Sequence, residues 1–223
     1  MVRKQRIQPV QERARRMRRE LLDATVQLLE SGGSARLTTT AIAARAHVST
    51  GTFYRYFSDK VDVLTALREE AVRAISVDLM AGVAAALDRD PDEGVRLIVE
   101  TLVGAFERHR AVILAMIDAT PAGTMANVLP SIEADLYALA TVLPRRHRPD
   151  ATPEQLDAIV FLSMGVLVTT CVRIALQRPA HLSRDALIDL ATAMVLAGFR
   201  ERDGSPGARH VPESRDVPGP DAR

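Results

Sequence analysis

Between Leu37 and Lys60 the chain reads LTTTAIAARAHVSTGTFYRYFSDK, and the side chains best suited to chemistry gather there. Thr39, Thr40, Ser49, Thr50 and Thr52 carry hydroxyls, Tyr54 and Tyr56 carry phenols, and Arg45, Arg55 and Lys60 carry charge. They form neither a nucleophile–base pair nor a metal-ligand set. Short hydroxyls, phenols and cations instead suit phosphate oxygens and the polar edges of bases. Gly51 has no side chain, which leaves room for another molecule to approach the backbone. Four of the eight aromatics lie in Phe53-Tyr54-Arg55-Tyr56-Phe57. At helical spacing Phe53 and Phe57 share one face and turn to the core, while Tyr54 and Arg55 point elsewhere. Tyr56 reads equally well as core or as contact. For Arg45 a solvated face competes with a phosphate or base contact, and for Lys60 a solvated surface competes with a phosphate contact.

Positioning these groups takes two short helices joined by a tight turn. The first is expected over about 39–46, capped by Thr38 or Thr39, with Ile42, Ala43 and Ala46 facing inward. The second is expected over about 50–57, capped by Ser49. Ala43 is small enough for a close helix crossing, and Val48 buries the turn. This is a helix-turn-helix, which sets its second helix in the DNA major groove. A preceding helix is expected over about 13–30, with Met17, Leu21, Ala24 and Leu28 on one stripe and Ser31-Gly32-Gly33 ending it. A fourth starts at Ser58-Asp59, with Val61, Leu64 and Leu67 expected inward.

In the combination Leu37-Thr38-Thr39, Ile42-Ala43, Val48-Ser49, Gly51-Thr52-Phe53-Tyr54, Tyr56-Phe57 and Lys60, the chain resembles the tetracycline-repressor (TetR) family over roughly residues 13–67. The resemblance implies DNA contacts at Thr39, Thr40, Ser49, Thr50, Gly51, Thr52, Tyr54, Arg55, Tyr56 and Lys60. Arg45 joins that set from its place on the outer side of the first short helix. One departure stands out: the family usually has glycine where this chain has His47. The resemblance also implies an all-α fold, with an N-terminal three-helix DNA-binding domain and a C-terminal helical ligand-binding and dimerisation domain.

Charge supports the division. Residues 1–60 hold 12 Lys+Arg and 5 Asp+Glu, a net +7, and the rest of the chain is net −6. A basic head on an acidic body suits a polyanion at one end only, although a membrane surface would also attract such a head. The expected layout is a basic arm at 1–12, the head at 13–60, the body at 61–202 and a disordered tail rich in Pro, Gly, Arg and Asp at 203–223. Arg3, Arg6, Arg13, Arg15 and Arg16 either follow the DNA backbone or enter its minor groove, or else belong to a disordered tail with weak, salt-sensitive contacts.

The body reads as helix throughout, with helices at about 92–108, 111–119, 130–143, 153–177 and 183–200. Val95, Ile98, Leu102 and Phe106 form a core stripe. Thr152-Pro153-Glu154-Gln155 is a strong helix start. The stretch 159–172 is uncharged over 14 residues, short of the roughly 20 that a membrane span needs, and reads as a helix buried on most sides. The resemblance implies a homodimer through helices about 153–177 and 183–200, reading a palindromic operator in double-stranded DNA. It also implies a small effector, for which Phe106, His109, Met116, Met125, Tyr137, Phe161 and Met164 are the candidate lining residues. For each of these, plain core packing is the competing and favoured reading. The methionines favour an apolar effector. The chain has one cysteine, Cys171, and its five histidines lack metal-ligand spacing. No cofactor is expected. There is no phosphate loop, dinucleotide fingerprint or nucleophile elbow, so an enzyme is not expected. A basic N-terminus with no following apolar run is not a secretory signal, and the expected location is the cytoplasm. The leading function is a ligand-released repressor. The alternatives are an activator with the same head and a non-specific DNA binder.

Overall fold

The computed structural model describes residues 7–119, 144–145 and 148–199. The expected helix at 130–143, the tail at 203–223, Arg3 and Arg6 of the arm, Met125 and Tyr137 lie outside the described residues. Among the described residues every regular element is helical.

α1 spans Ile7–Gly32. It begins six residues before the expected Arg13, so residues 7–12 belong to the helix and not to an arm. Pro9 lies in its first turn, where a backbone N–H would have no intrahelical acceptor, so proline costs little there. The helix ends at Gly33, whose φ of 65 is in the left-handed region and whose N–H reaches Leu29 O at 2.9 Å. A single 3-10 turn, Ser34–Arg36, leads on. α2 spans Thr39–Arg45 and α3 spans Thr50–Tyr54. α4 spans Lys60–Leu87, α5 Pro91–Arg108 and α6 Arg110–Ala119. α7 spans Pro153–Gln177 and α8 Arg184–Phe199. α7 starts with the expected capping box, Thr152 accepting from Gln155 N while the Gln155 side chain accepts from Thr152 N.

These helices enclose two apolar cores. In the head core Leu21, Leu22 and Leu29 meet Ile42, Phe53, Phe57, Val63, Leu64 and Leu67. Val112 and Ala115 of α6 complete it, so the head draws on residues well beyond 60. Val61 is a correction to the expected inward stripe, being 61% exposed. In the first turn of α4 the buried face is set by Val63 and Leu64, and Val61 falls off it. The body core holds Ile75 and Leu79 of α4, Val95, Leu102 and Phe106 of α5, Met164 and Val168 of α7, and Ile188 and Val195 of α8. α4 thus runs through both cores. α6 also serves both, with Ile113 in the body core and Val112 in the head core.

Both ends of α6 are tied down. The Arg110 guanidinium donates to Ala175 O at 2.9 Å and Leu176 O at 2.7 Å, satisfying carbonyls that the end of α7 would otherwise leave free. Near the other end Ser34 Oγ donates to Asp118 Oδ2 at 2.7 Å.

α7 differs from the expectation of a helix buried on most sides. It packs against α5 and α8 through Leu156, Val160, Met164, Val168 and Cys171. Its other face is open, with Phe161 72% and Leu162 65% exposed. α8 likewise turns Leu190 and Met194 outward. By length and composition alone α7 could cross a membrane, but one of its faces belongs to the body core. Cys171 is fully buried, and burial pushes its thiol up to about 12, so it stays protonated at neutral pH.

Candidate DNA-binding surface

α2 and α3 are set by their caps. Thr38 Oγ1 accepts from Ala41 N at 3.1 Å, which decides between Thr38 and Thr39 as the cap of α2. Ser49 Oγ accepts from Thr52 N at 3.1 Å and begins α3. The turn between them places His47 at φ 57, the one non-glycine residue with positive φ among those described. Its N–H bonds Ala44 O at 3.1 Å, and Val48 N bonds Ala43 O at 2.9 Å. The backbone therefore adopts the left-handed turn that glycine would favour, and histidine bears the strain. A left-handed non-glycine residue costs roughly 1–2 kcal/mol, and glycine returns about 0.4–1 kcal/mol of that through its freer unfolded chain. A His47→Gly variant is expected to be more stable by up to about 1 kcal/mol. His47→Val should lose stability, because a β-branched residue fits this region worst. Urea-denaturation midpoints check both, and a lower midpoint for the glycine variant would refute the strain.

α3 is anchored from below. Phe53 is fully buried and Phe57 nearly so, their ring centroids 6.0 Å apart. The Arg18 guanidinium lies 5.2 Å from the Phe57 centroid, a cation–π contact from α1. Asp59 Oδ1 accepts from Val61 N at 2.7 Å and Asp62 N at 2.9 Å, while Asp62 Oδ2 accepts from Ser58 N at 2.9 Å. This reciprocal cap fixes the start of α4 and, with it, Lys60.

What remains on the outer face is polar. Thr40, Ser49, Thr50, Gly51, Tyr54, Arg55 and Lys60 are all exposed. Tyr54 is 57% exposed and stands edge-on to Phe53, with its hydroxyl 3.4 Å from Thr39 Oγ1. The ring is held by the core while the phenol faces outward. Thr52 is half-buried, its hydroxyl 3.0 Å from Ser49 Oγ, so it serves the cap first. Tyr56 is half-buried against the head core. Arg45 is exposed, but its Nε donates to Gln27 Oε1 at 2.8 Å, which holds the guanidinium against α1. Sequence reasoning missed Gln27, Asp62 and Arg18. The Asp59-x-x-Asp62 spacing was a readable cap signal, whereas Gln27–Arg45 and Arg18–Phe57 arise only from how α1 crosses the other helices.

Among the described residues the effector candidates do not converge on one cavity. Phe106 and Met164 are buried in the body core, and Met116 packs half-buried against the head core. His109 is half-buried at the α5–α6 junction. Burial, and secondly the charge of Arg108, hold its imidazole below the ordinary value. Phe161 points away from the core, so its expected place in a pocket is corrected: the face of α7 on which it falls is the open one.

A basic helix-turn-helix head with a rigid polar face, carried on a helical body, defines a DNA-binding regulator. Residues 21–67 match the model of the bacterial regulatory proteins of the tetR family. The HTH-type transcriptional repressor KstR of Mycobacterium tuberculosis is 33% identical over 188 residues, spanning 69% of this chain and 83% of that protein. An HTH-type transcriptional regulator of the same species, of uncharacterized role, is 29% identical over 200 residues, covering 84% of this chain and 80% of its own length. Among solved structures, a TetR/AcrR-family regulator of Thermobifida fusca superposes with a TM-score of 0.60 at 17% identity, covering 82% of this chain and 98% of its own. The fatty acid degradation regulator FadR of Bacillus halodurans does so with 0.58 at 18% identity, covering 83% and 97%. The chain belongs to the TetR family of transcriptional regulators.

Proposed function

We propose that this regulator is a cytoplasmic repressor that binds a palindromic operator as a homodimer and is released by a small, largely apolar molecule. The observation that carries this reading is the exposed polar face of Thr40, Thr50, Gly51, Tyr54 and Lys60, held on a packed core. Such a face can meet phosphates and base edges without first paying the entropy of ordering itself. The open apolar faces of α7 and α8 supply the pairing surface. A twofold dimer sets two α3 helices about one DNA turn, roughly 34–36 Å, apart. The name of the relative KstR supports repression as the sign. Release follows as a population shift: an effector held among body residues such as Phe106 and Met164 binds better when the heads are spread, and operator affinity falls. Thr39, Arg45, Ser49, Thr52, Arg55 and Tyr56 complete the contact set.

The test is selection of binding sites from random duplex DNA at physiological salt, beside a Tyr54→Phe/Lys60→Ala variant. The parent should enrich a palindrome. The variant should fold normally and bind the selected site roughly tenfold or more weakly, two phosphate contacts being lost. It should also show a shallower dependence on salt, by roughly one unit of log–log slope for the lysine. Enrichment of no sequence by the parent would refute specific regulation by the free protein.

A further inference from the structure

The head and body meet along a cleft of about 330 Å³ walled by α1, α4, the end of α5 and α6. That volume falls within the range of small-molecule sites. Leu22, Val26, Leu67, Ala71 and Val112 give it an apolar floor. Its rim is acidic, with Asp23, Glu30 and Glu70 all exposed around the opening. Glu70 has a loose partner, Arg18 Nη1 at 3.4 Å, whereas Asp23 and Glu30 have no ion-pair partner among the described residues. Two basic groups face the cleft, Arg108 and His109. Arg108 is already bound to Asp78. Burial holds His109 toward its neutral form, so it adds little positive charge to the cleft. The cleft therefore presents an apolar floor beneath a rim with excess negative charge.

We propose that this head–body cleft binds a small amphipathic organic cation, its apolar body on the Leu22–Leu67–Val112 floor and its charge toward Asp23 and Glu30. The site is separate from the body core, where the effector is placed above. An anion is disfavoured by three carboxylates. A neutral apolar molecule would leave the rim charges unused.

The probe is benzyltrimethylammonium, a permanent cation with an apolar ring, titrated calorimetrically into the full chain, with benzoate and benzyl alcohol as comparators. The expected result is saturable binding of one cation per chain, with benzoate not binding and benzyl alcohol markedly weaker. Asp23→Asn/Glu30→Gln, two exposed positions whose loss leaves the fold intact, should weaken the cation roughly tenfold, as expected for two charges across a partly solvated gap. Ala74→Leu, which fills the cleft from α4, should abolish binding, with circular dichroism verifying that the variant folds. A Tyr54→Phe/Lys60→Ala protein should bind the cation as the parent does, which separates this result from any failure of the DNA reading. Equal binding of benzoate, or an unchanged affinity in the charge variant, would overturn the proposal.

Discussion

If the proposed homodimer forms through α7 and α8, a Phe161→Glu/Leu190→Glu double variant is expected to run as a folded monomer where the parent runs as a dimer. Phe161 is 72% and Leu190 58% exposed in the single chain, so neither side chain supports the protomer's own core. The two faces are neighbours: a Cβ on Gly198 of α8 would lie 3.6 Å from Ser163 Oγ of α7. With Leu162, Val166 and Met194 they form an apolar surface of the kind that pairs with a second copy. Burying an unpaired carboxylate costs several kcal/mol, and full burial of Phe or Leu contributes about 1.5–3 kcal/mol. A twofold interface applies every loss twice. The dimer dissociation constant should therefore rise by at least about a thousandfold, since each 1.4 kcal/mol is about tenfold. Light scattering on eluting protein reads the mass, and thermal melting verifies the fold. Operator affinity should collapse with the dimer, because each half-site then binds alone. A variant that stays dimeric would place the interface elsewhere.

Substitution at Gly51 is expected to move stability and DNA affinity in opposite directions. A Cβ there would meet only Ser49 Oγ, at 3.7 Å, which is ordinary contact. The backbone is helical and needs no positive φ. Nothing inside the protein requires glycine, which disfavours a helix by up to about 1 kcal/mol relative to alanine. Gly51→Ala should raise stability by a few tenths to about 1 kcal/mol. In the proposed complex the same atom intrudes where the start of α3 comes closest to DNA. Gly51→Ala should then weaken the selected operator by about tenfold, and Gly51→Leu by about a hundredfold or more, as the duplex is pushed off its base contacts. Thermal melting and titration of the labelled operator read the two effects separately. Undiminished affinity in Gly51→Leu would remove Gly51 from the interface.

Much of this fold is legible in the sequence because local chemistry dictates it. Thr152, Pro153 and Gln155 specify the start of α7 whatever surrounds them. Ser49 specifies the start of α3, and the Phe53–Phe57 spacing specifies which face is buried. The left-handed turn at His47 was an expectation of the family resemblance, through the glycine usual at that position, and the φ of 57 meets it. The misreadings concern relations between distant helices. Nothing in the run 159–172 says which side of that helix meets α5 and which stays open, so Phe161 reads as pocket or core and proves to be neither. Val61 fits an inward stripe by spacing but has no helix packed against it. The Gln27–Arg45 and Arg110–α7 bonds join residues 18 and about 65 positions apart, and periodicity carries no information about such pairs. The residues of the candidate site were readable as types. Thr52's commitment to the cap and Arg45's tether to α1 were not.

The presence of Val112 and Ala115 in the head core bears on how this family can be engineered. A recombinant chimera joined just after residue 60 would carry α3, the proposed reading helix, without the two residues that close the core beneath it. The recipient's own α6 would have to fill that gap with side chains selected for a different floor. Transplanting operator specificity is better done by exchanging the outward residues of α2 and α3 alone, leaving each parent's junction intact. A head transferred whole should bring along Val63–Ala71 and the inward face of α6, so that the graft boundary follows the packing and not the order of the chain.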